Sequence, residues 1–223
     1  MKISRQTTKI VTLIAIITIA GFFIYKGTAG PMKIITTGSS TVKIVSGLTS
    51  AKINMPDTNR LTSGLVGYWT FDGQDTNWGT NTTNDRSGNS NTGTMTNMAT
   101  TTSPVPGVAG QALNFDKVND AINCGSDASL DNLAAMTVSA WINPISMGES
   151  NIGMIAWKRG TSATAGWQLK MITINKFNFY VDYTTTGIIR NAPADSITLN
   201  NWQHVLVTWD GSSTAANVHF YVN

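Results

Sequence analysis

A chain of 223 residues is long enough for one large or two small domains with a real core. Its apolar content of 41% is ordinary, but charge is thin at 12% and Glu149 is its one glutamate, which favours a turn-rich all-β chain over a helical one. The net charge of +3 is uneven: residues 1–60 hold eight basic residues against Asp57, and residues 61–223 hold seven against eleven acids, a net of −4 that argues against a nucleic-acid-binding module.

In chain order, the first element is a basic lead, Lys2, Arg5 and Lys9, followed by sixteen uncharged residues, "IVTLIAIITIAGFFIY" (10–25), closed by Lys26. Such a run predicts an N-terminal membrane-directing helix over residues 1–27, either a single-pass transmembrane anchor or a signal segment. Sixteen residues is short of the ~20 of a typical spanning helix, but Lys26 can snorkel. "KGTAG" is a poor cleavage site, so an uncleaved anchor with the rest of the chain outside the membrane is expected; secretion after cleavage is the alternative. Residues 28–63 are rich in Thr, Ser and Gly and read as a linker.

From Gly64 onward the texture changes. Ten strand-like runs follow, separated by Gly, Asn and Asp turns: 65–72, 92–98, 111–116, 120–125, 136–144, 152–159, 167–174, 176–183, 202–210 and 217–223. "MTVSAWI" places Met136, Val138, Ala140 and Ile142 on one face, as a half-buried antiparallel strand requires. "DASLDNL" (127–133) offers a helical turn at most. "NWQHVLVTWDG" (201–211) has largely apolar residues on both faces and reads as an inner strand covered on both sides. The pattern predicts a sandwich or barrel.

"GLVGYWTFDG", "DRSGNSNTGTM", "PGVAGQALNFDKVNDAINCG", "MTVSAWINP", "NNWQHVLVTWDG" and "VHFYVN" occur in consecutive order over about residues 64–223. Together they resemble the concanavalin A-like lectin/glucanase superfamily, and in particular its laminin-G-like bacterial modules. The resemblance implies an antiparallel jelly-roll β-sandwich that binds carbohydrate or protein outside the cell. It also implies further strands after the "YVN" run, so the domain at 64–223 is expected to be incomplete at its C-terminus.

Catalytic residues are not expected. The glucanases among those relatives carry an E-x-D-x-x-E strand motif, and a chain with one glutamate cannot supply its pair of carboxylates. His204 and Asp210 lie roughly 20 Å apart along one extended strand, so they are not partners there, and no G-x-S-x-G elbow is present. His204 reads as a strand histidine satisfied by a neighbour or facing solvent, and His219 likewise. Cys124 is the lone cysteine, which excludes an intrachain disulfide and reads as a small buried hydrophobe.

Two binding chemistries remain. The loop "NDRSGNSNTG" (84–93) collects Asp85, Asn89 and Asn91, oxygen ligands of the kind calcium takes, although the glycine and the twelfth residue, Thr96, do not fit an EF-hand. The resemblance implies a Ca2+ site near this loop and the end of the first strand, which adds Asp72. The same residues also make ordinary turn hydrogen bonds. For a sugar platform, Trp78 stands among polar turn residues, with Trp167 and Tyr183 at strand ends; the other tryptophans lie within strand runs and read as core. The chain is thus expected to be an extracytoplasmic, membrane-anchored binding module whose partner is a glycan or a cell-surface protein. Alternatives are a non-catalytic accessory part of a larger secreted glycan-active enzyme, and a structural adhesion or surface protein.

Overall fold

The computed structural model describes residues 10–13, 17–26, 63–131, 133–159, 165–183 and 186–223. Its described residues form two antiparallel sheets, with no helix beyond single 3-10 turns at Ala128–Leu130 and Ala215–Asn217. The strands are β1 Ile10–Leu13, β2 Ile17–Lys26, β3 Leu65–Trp69, β4 Thr76–Asn77, β5 Thr82–Thr83, β6 Gly93–Thr96, β7 Pro104–Pro106, β8 Gln111–Leu113, β9 Ala121–Asn123, β10 Met136–Pro144, β11 Gly153–Arg159, β12 Ala165–Ile172, β13 Lys176–Tyr183, β14 Thr186–Asn191, β15 Gln203–Trp209 and β16 His219–Val222. One sheet runs β14-β13-β12-β11-β1-β9-β6-β5-β4. The other runs β16-β15-β10-β2-β8-β7, with β3 paired to β2.

Each of the ten runs read from the sequence after Gly64 contains a strand. The first ends early, at Trp69, because Phe71 adopts φ 61°, a left-handed conformation that stops the ladder while its ring stays fully buried. The missed strands are short or Gly-interrupted: β4, β5, β7 and β14 carry too little alternation to be seen. "DG" (210–211) makes a turn after β15. Gly211 has φ +88°, and a Cβ there would lie 1.5 Å from the Ala134 carbonyl oxygen, so only glycine fits.

The expected N-terminal helix is not found. Residues 10–13 and 17–26 are extended instead: β1 lies between β11 and β9, and β2 between β10 and its neighbours β3 and β8. The run is rich in Ile, Val and Thr, which favour strands, and strands covered on both faces read as unbroken apolar runs that hydropathy alone does not distinguish from helix. No helix among the described residues is long and apolar enough to cross a membrane. The linker expected at 28–63 falls outside the described residues except for Ser63.

The core lies between the sheets. From β10 come Val138, Ala140 and Ile142; from β13 come Phe177, Phe179 and Val181; from β15 come Val205, Val207 and Trp209, all buried. Phe179 meets Trp209 across the sheets at 6.5 Å between ring centroids, a tilted contact. Gln203 is the one polar residue on the buried face of β15. It bonds both ways to Thr198, accepting from its N–H at 2.9 Å and donating to its carbonyl at 2.6 Å, which removes the penalty for burying an amide.

Candidate functional site

The residues expected to hold calcium lie beside β3, and their hydrogen bonds show what they do. Asp85 Oδ1 accepts from the backbone N–H of Tyr68 (2.9 Å) and of Ser87 (2.8 Å). Its Oδ2 accepts from Ser87 Oγ (2.7 Å) and the Asn91 N–H (2.9 Å). Those four bonds fill the acceptor capacity of one carboxylate. Asn89 Nδ2 donates to the Leu65 carbonyl at 3.0 Å, and Asn91 Nδ2 to the Val66 carbonyl at 2.8 Å. The Arg86 N–H reaches the Tyr68 carbonyl at 2.7 Å, and the Trp69 indole donates to the Asn91 carbonyl at 2.8 Å. The loop therefore binds backbone groups of β3 that would otherwise be open, in the manner of edge protection. Asn91 Oδ1 is buried without a partner, and nothing in the structure explains it.

Asp72 does not join this set. Its Oδ1 accepts from the Gln111 N–H at 2.8 Å, fastening the turn after β3 to the start of β8. Between the two, Asp75 is buried and paired with Arg86, whose Nε donates to Asp75 Oδ1 at 2.6 Å; Thr70 Oγ1 donates to Asp75 Oδ2. The charge of this acid is thus matched by a guanidinium. Among the described residues no group of three or more His, Cys, Asp or Glu side chains is arranged to hold a metal.

The expected aromatic platform is also dispersed. Trp167 is 1% exposed and belongs to the core, so its face cannot reach a sugar; β12 runs on past it to Ala165, placing it inside the strand rather than at its end. Trp78 is half-buried and packs against the core cluster. The backbone of Tyr183 closes β13, but its side chain lies outside the described residues.

His204 has the satisfied neighbour expected of it. Its Nε2 lies 2.7 Å from Ser139 Oγ, and its ring centroid lies 5.3 Å from that of Trp141, directly opposite on β10. Burial lowers its pKa from the ordinary histidine value. Ser139 is itself buried, and among the described residues no carboxylate completes a triad with the pair, so the contact holds two strands together. The reading of "NWQHVLVTWDG" as covered on both sides needs correction: residues 203, 205, 207 and 209 are buried, but His204, Leu206 and Thr208 are half-exposed. Cys124 is buried, and desolvation pushes its thiol pKa far up, which leaves it unreactive.

A different place gathers free polar groups. β14 and β16 are the end strands of the two sheets, and a cleft of about 240 Å3 opens between them, lined by residues 190–193 and 218–221. Its apolar lining includes buried Ala192 and Val218, and half-buried Phe220, which stacks on Phe177 at 6.3 Å. Tyr221, 56% exposed, stands beside it with His219. Arg190 is the only charged residue in the lining. Neither it nor Tyr221 nor His219 has an intramolecular hydrogen bond or ion pair by its side chain among the described residues. A cation and apolar side chains around a small concavity can bind a compact polar ligand. Sequence reading missed this place because its two halves, residues 190–193 and 218–221, are distant in the chain and neither carries a motif.

Residues 116–223 match the family model Laminin_G_3, described as Concanavalin A-like lectin/glucanases superfamily. No curated protein and no solved structure matches the chain. The match begins just before β9 and ends with the chain, so it takes in β9 to β16, including both walls of the cleft. The all-β antiparallel architecture agrees with that similarity.

Proposed function

We propose that the chain is a non-catalytic carbohydrate-binding module that works outside the cytoplasm. The observation that carries this reading is the lectin-type family match over residues 116–223. Modules of this kind commonly bind glycans or proteins and are typically without catalytic activity. The lack of a paired-carboxylate motif in a chain with one glutamate supports the same view. Export is inferred from the similarity to laminin-G-like modules, which work outside the cell. Calcium is not part of this proposal: Asp85, the acid on which both readings of that site depend, spends its oxygens on four protein hydrogen bonds.

A glycan array probed with the full chain, with calcium and with a chelator, tests the reading. Retention on a defined set of glycans, equal in both buffers, is the expected outcome. Failure to retain any glycan in either buffer overturns it and leaves the adhesion or accessory-domain alternatives.

A further inference from the structure

We propose that the solvent face of β11 to β14 binds a linear, uncharged glycan laid across the strands, with Trp157 and Tyr180 as its two platforms; this rests on the carbohydrate-binding reading above. Strand register builds the strip. Trp157 lies directly opposite Gln168, Gln168 opposite Tyr180, and Tyr180 opposite Ile189. Residues directly opposite share a face, so these four form one row across four strands. The next row, Lys158, Trp167, Val181 and Ile188, is buried, and alternation along each strand turns the first row away from the core. Trp157, Gln168 and Tyr180 are half-buried, and Ile189 is 60% exposed. Trp157 sits within a strand run, which reads as core from sequence; the register puts it on the outside of the sheet.

The surroundings narrow the ligand. Two inter-strand spacings separate β11 from β13, so the two aromatic residues stand roughly 10 Å apart with Gln168 between them. An extended glycan crossing the strands can rest one ring on each aromatic, while the stretch between meets an amide. Polar groups border the row on both sides. On one side Lys170 Nζ donates to Gln168 Oε1 at 3.2 Å, which leaves both Gln168 N–H groups for a ligand. Asn178 Nδ2 donates to Asn191 Oδ1 at 2.9 Å and leaves the Asn191 donors open in the same way. On the other side stands Asp182, opposite Gly166 and Gly187, so neither residue facing it has a side chain to crowd its carboxylate. Amide donors held by their neighbours and an open acceptor suit hydroxyls, which both donate and accept. Lys170 and Asp182 carry opposite charges on the two sides, so the strip gives a polyanion no advantage over a neutral chain. Within the row Ile189 alone is apolar and strongly exposed, far short of the dry surface that a second protein would need.

The rival account is that the row only ties four strands together, as cross-strand pairs such as Tyr180 with Ile189 do. Calorimetry on the full chain separates the two, using linear gluco-, xylo- and mannohexaose, the matching disaccharides, and a galacturonate hexamer as the charged counterpart. The native protein is compared with Trp157→Ala, Tyr180→Ala, Asp182→Asn and, on the other sheet, Tyr221→Ala. Thermal melts and size-exclusion chromatography are run alongside. A neutral hexaose is expected to bind at least about tenfold tighter than its disaccharide, and Trp157→Ala and Tyr180→Ala each weaken it at least about tenfold. Asp182→Asn weakens it about threefold with the melting temperature unchanged, and Tyr221→Ala has no effect. Because losing a half-buried ring also lowers stability, the indole N–H resonance of Trp157, assigned with Trp157→Phe, is followed in the native chain and shifts as the hexaose is added. Equal binding of hexaose and disaccharide, tighter binding of the galacturonate, or a loss confined to Tyr221→Ala overturns this inference but leaves the carbohydrate reading standing. So does an unmoved indole resonance with affinity kept in Trp157→Ala and Tyr180→Ala, which is the result of the rival account. A native dimer that Tyr180→Ala dissociates overturns it by giving the face to a second copy, and binding of none of the sugars tells against the carbohydrate reading itself.

Discussion

His204 Nε2 and Ser139 Oγ lie 2.7 Å apart, diagonal to one another across β15 and β10, while the imidazole ring leans on Trp141 directly opposite. A neutral imidazole can accept the serine proton through Nε2; an imidazolium cannot. Burial lowers the folded-state pKa below the ordinary histidine value. The unfolded chain therefore takes up the proton first, and the stability from this group, complete above the ordinary value, is lost as pH falls through the folded value. The expected outcome is a melting temperature that falls as pH is lowered from 7 toward 5. His204→Gln should remove about 2 °C of that fall, a small share because the ring is half-exposed. An identical pH profile in the variant contradicts the assignment.

Asp85→Ala separates the edge-protecting role from a calcium role. The substitution leaves the backbone N–H groups of Tyr68, Ser87 and Asn91 without their acceptor. A loss of about 2–4 kcal/mol in urea unfolding is expected, from donors that must then find water. Adding calcium or a chelator to the native chain should leave the melting temperature unchanged. A calcium-dependent rise of several degrees would show that a cation takes over these oxygens.

Trp167→Ala should destabilise the fold by about 3–5 kcal/mol, the usual loss for emptying a buried aromatic position. In Trp167→Phe, which keeps most of the packing, sugar binding should match the native chain by calorimetry. A selective loss of sugar affinity in that variant would restore Trp167 as a ligand contact.

The two N-terminal strands make a prediction about folding. Residues 10–13 join β9 to β11, and residues 17–26 join β10 to β3 and β8. Removing residues 1–26 opens those edges in the middle of both sheets, so the shortened chain should self-associate on size-exclusion chromatography. A place in the sheets and a place in a membrane exclude one another for the same residues. Fractionation of the full chain, with protease protection of residues 10–26, distinguishes them: protection that persists in detergent-free soluble protein is expected for the sheet location.

How far the strands were legible follows from how each is buried. Met136–Pro144 and Lys176–Tyr183 are long and covered on one face, so their side chains alternate and the period is visible. β4 and β5 are two residues each and have no period to see. The run at 10–25 misled because an inner strand and a membrane helix share one composition. For the candidate site, Asp85, Asn89 and Asn91 stood out in the sequence as oxygen ligands, but only their hydrogen-bond partners show that they serve β3. Trp167 was misplaced because a two-residue difference in where β12 starts decides whether an indole ends a strand or lies within it.

The sequence by itself determined the all-β class, the strand order from β8 onward in the matched runs and the absence of a paired-carboxylate motif. These depend on local periods, composition and backbone sterics, which are written in neighbouring residues. Only the tertiary structure decided that Arg190 stands at a cleft mouth, that Asp85 is fully engaged, and that β14 and β16 face each other at the ends of two sheets. Those are facts about residues distant in the chain, set by how the strands pair and pack, and no local pattern encodes them.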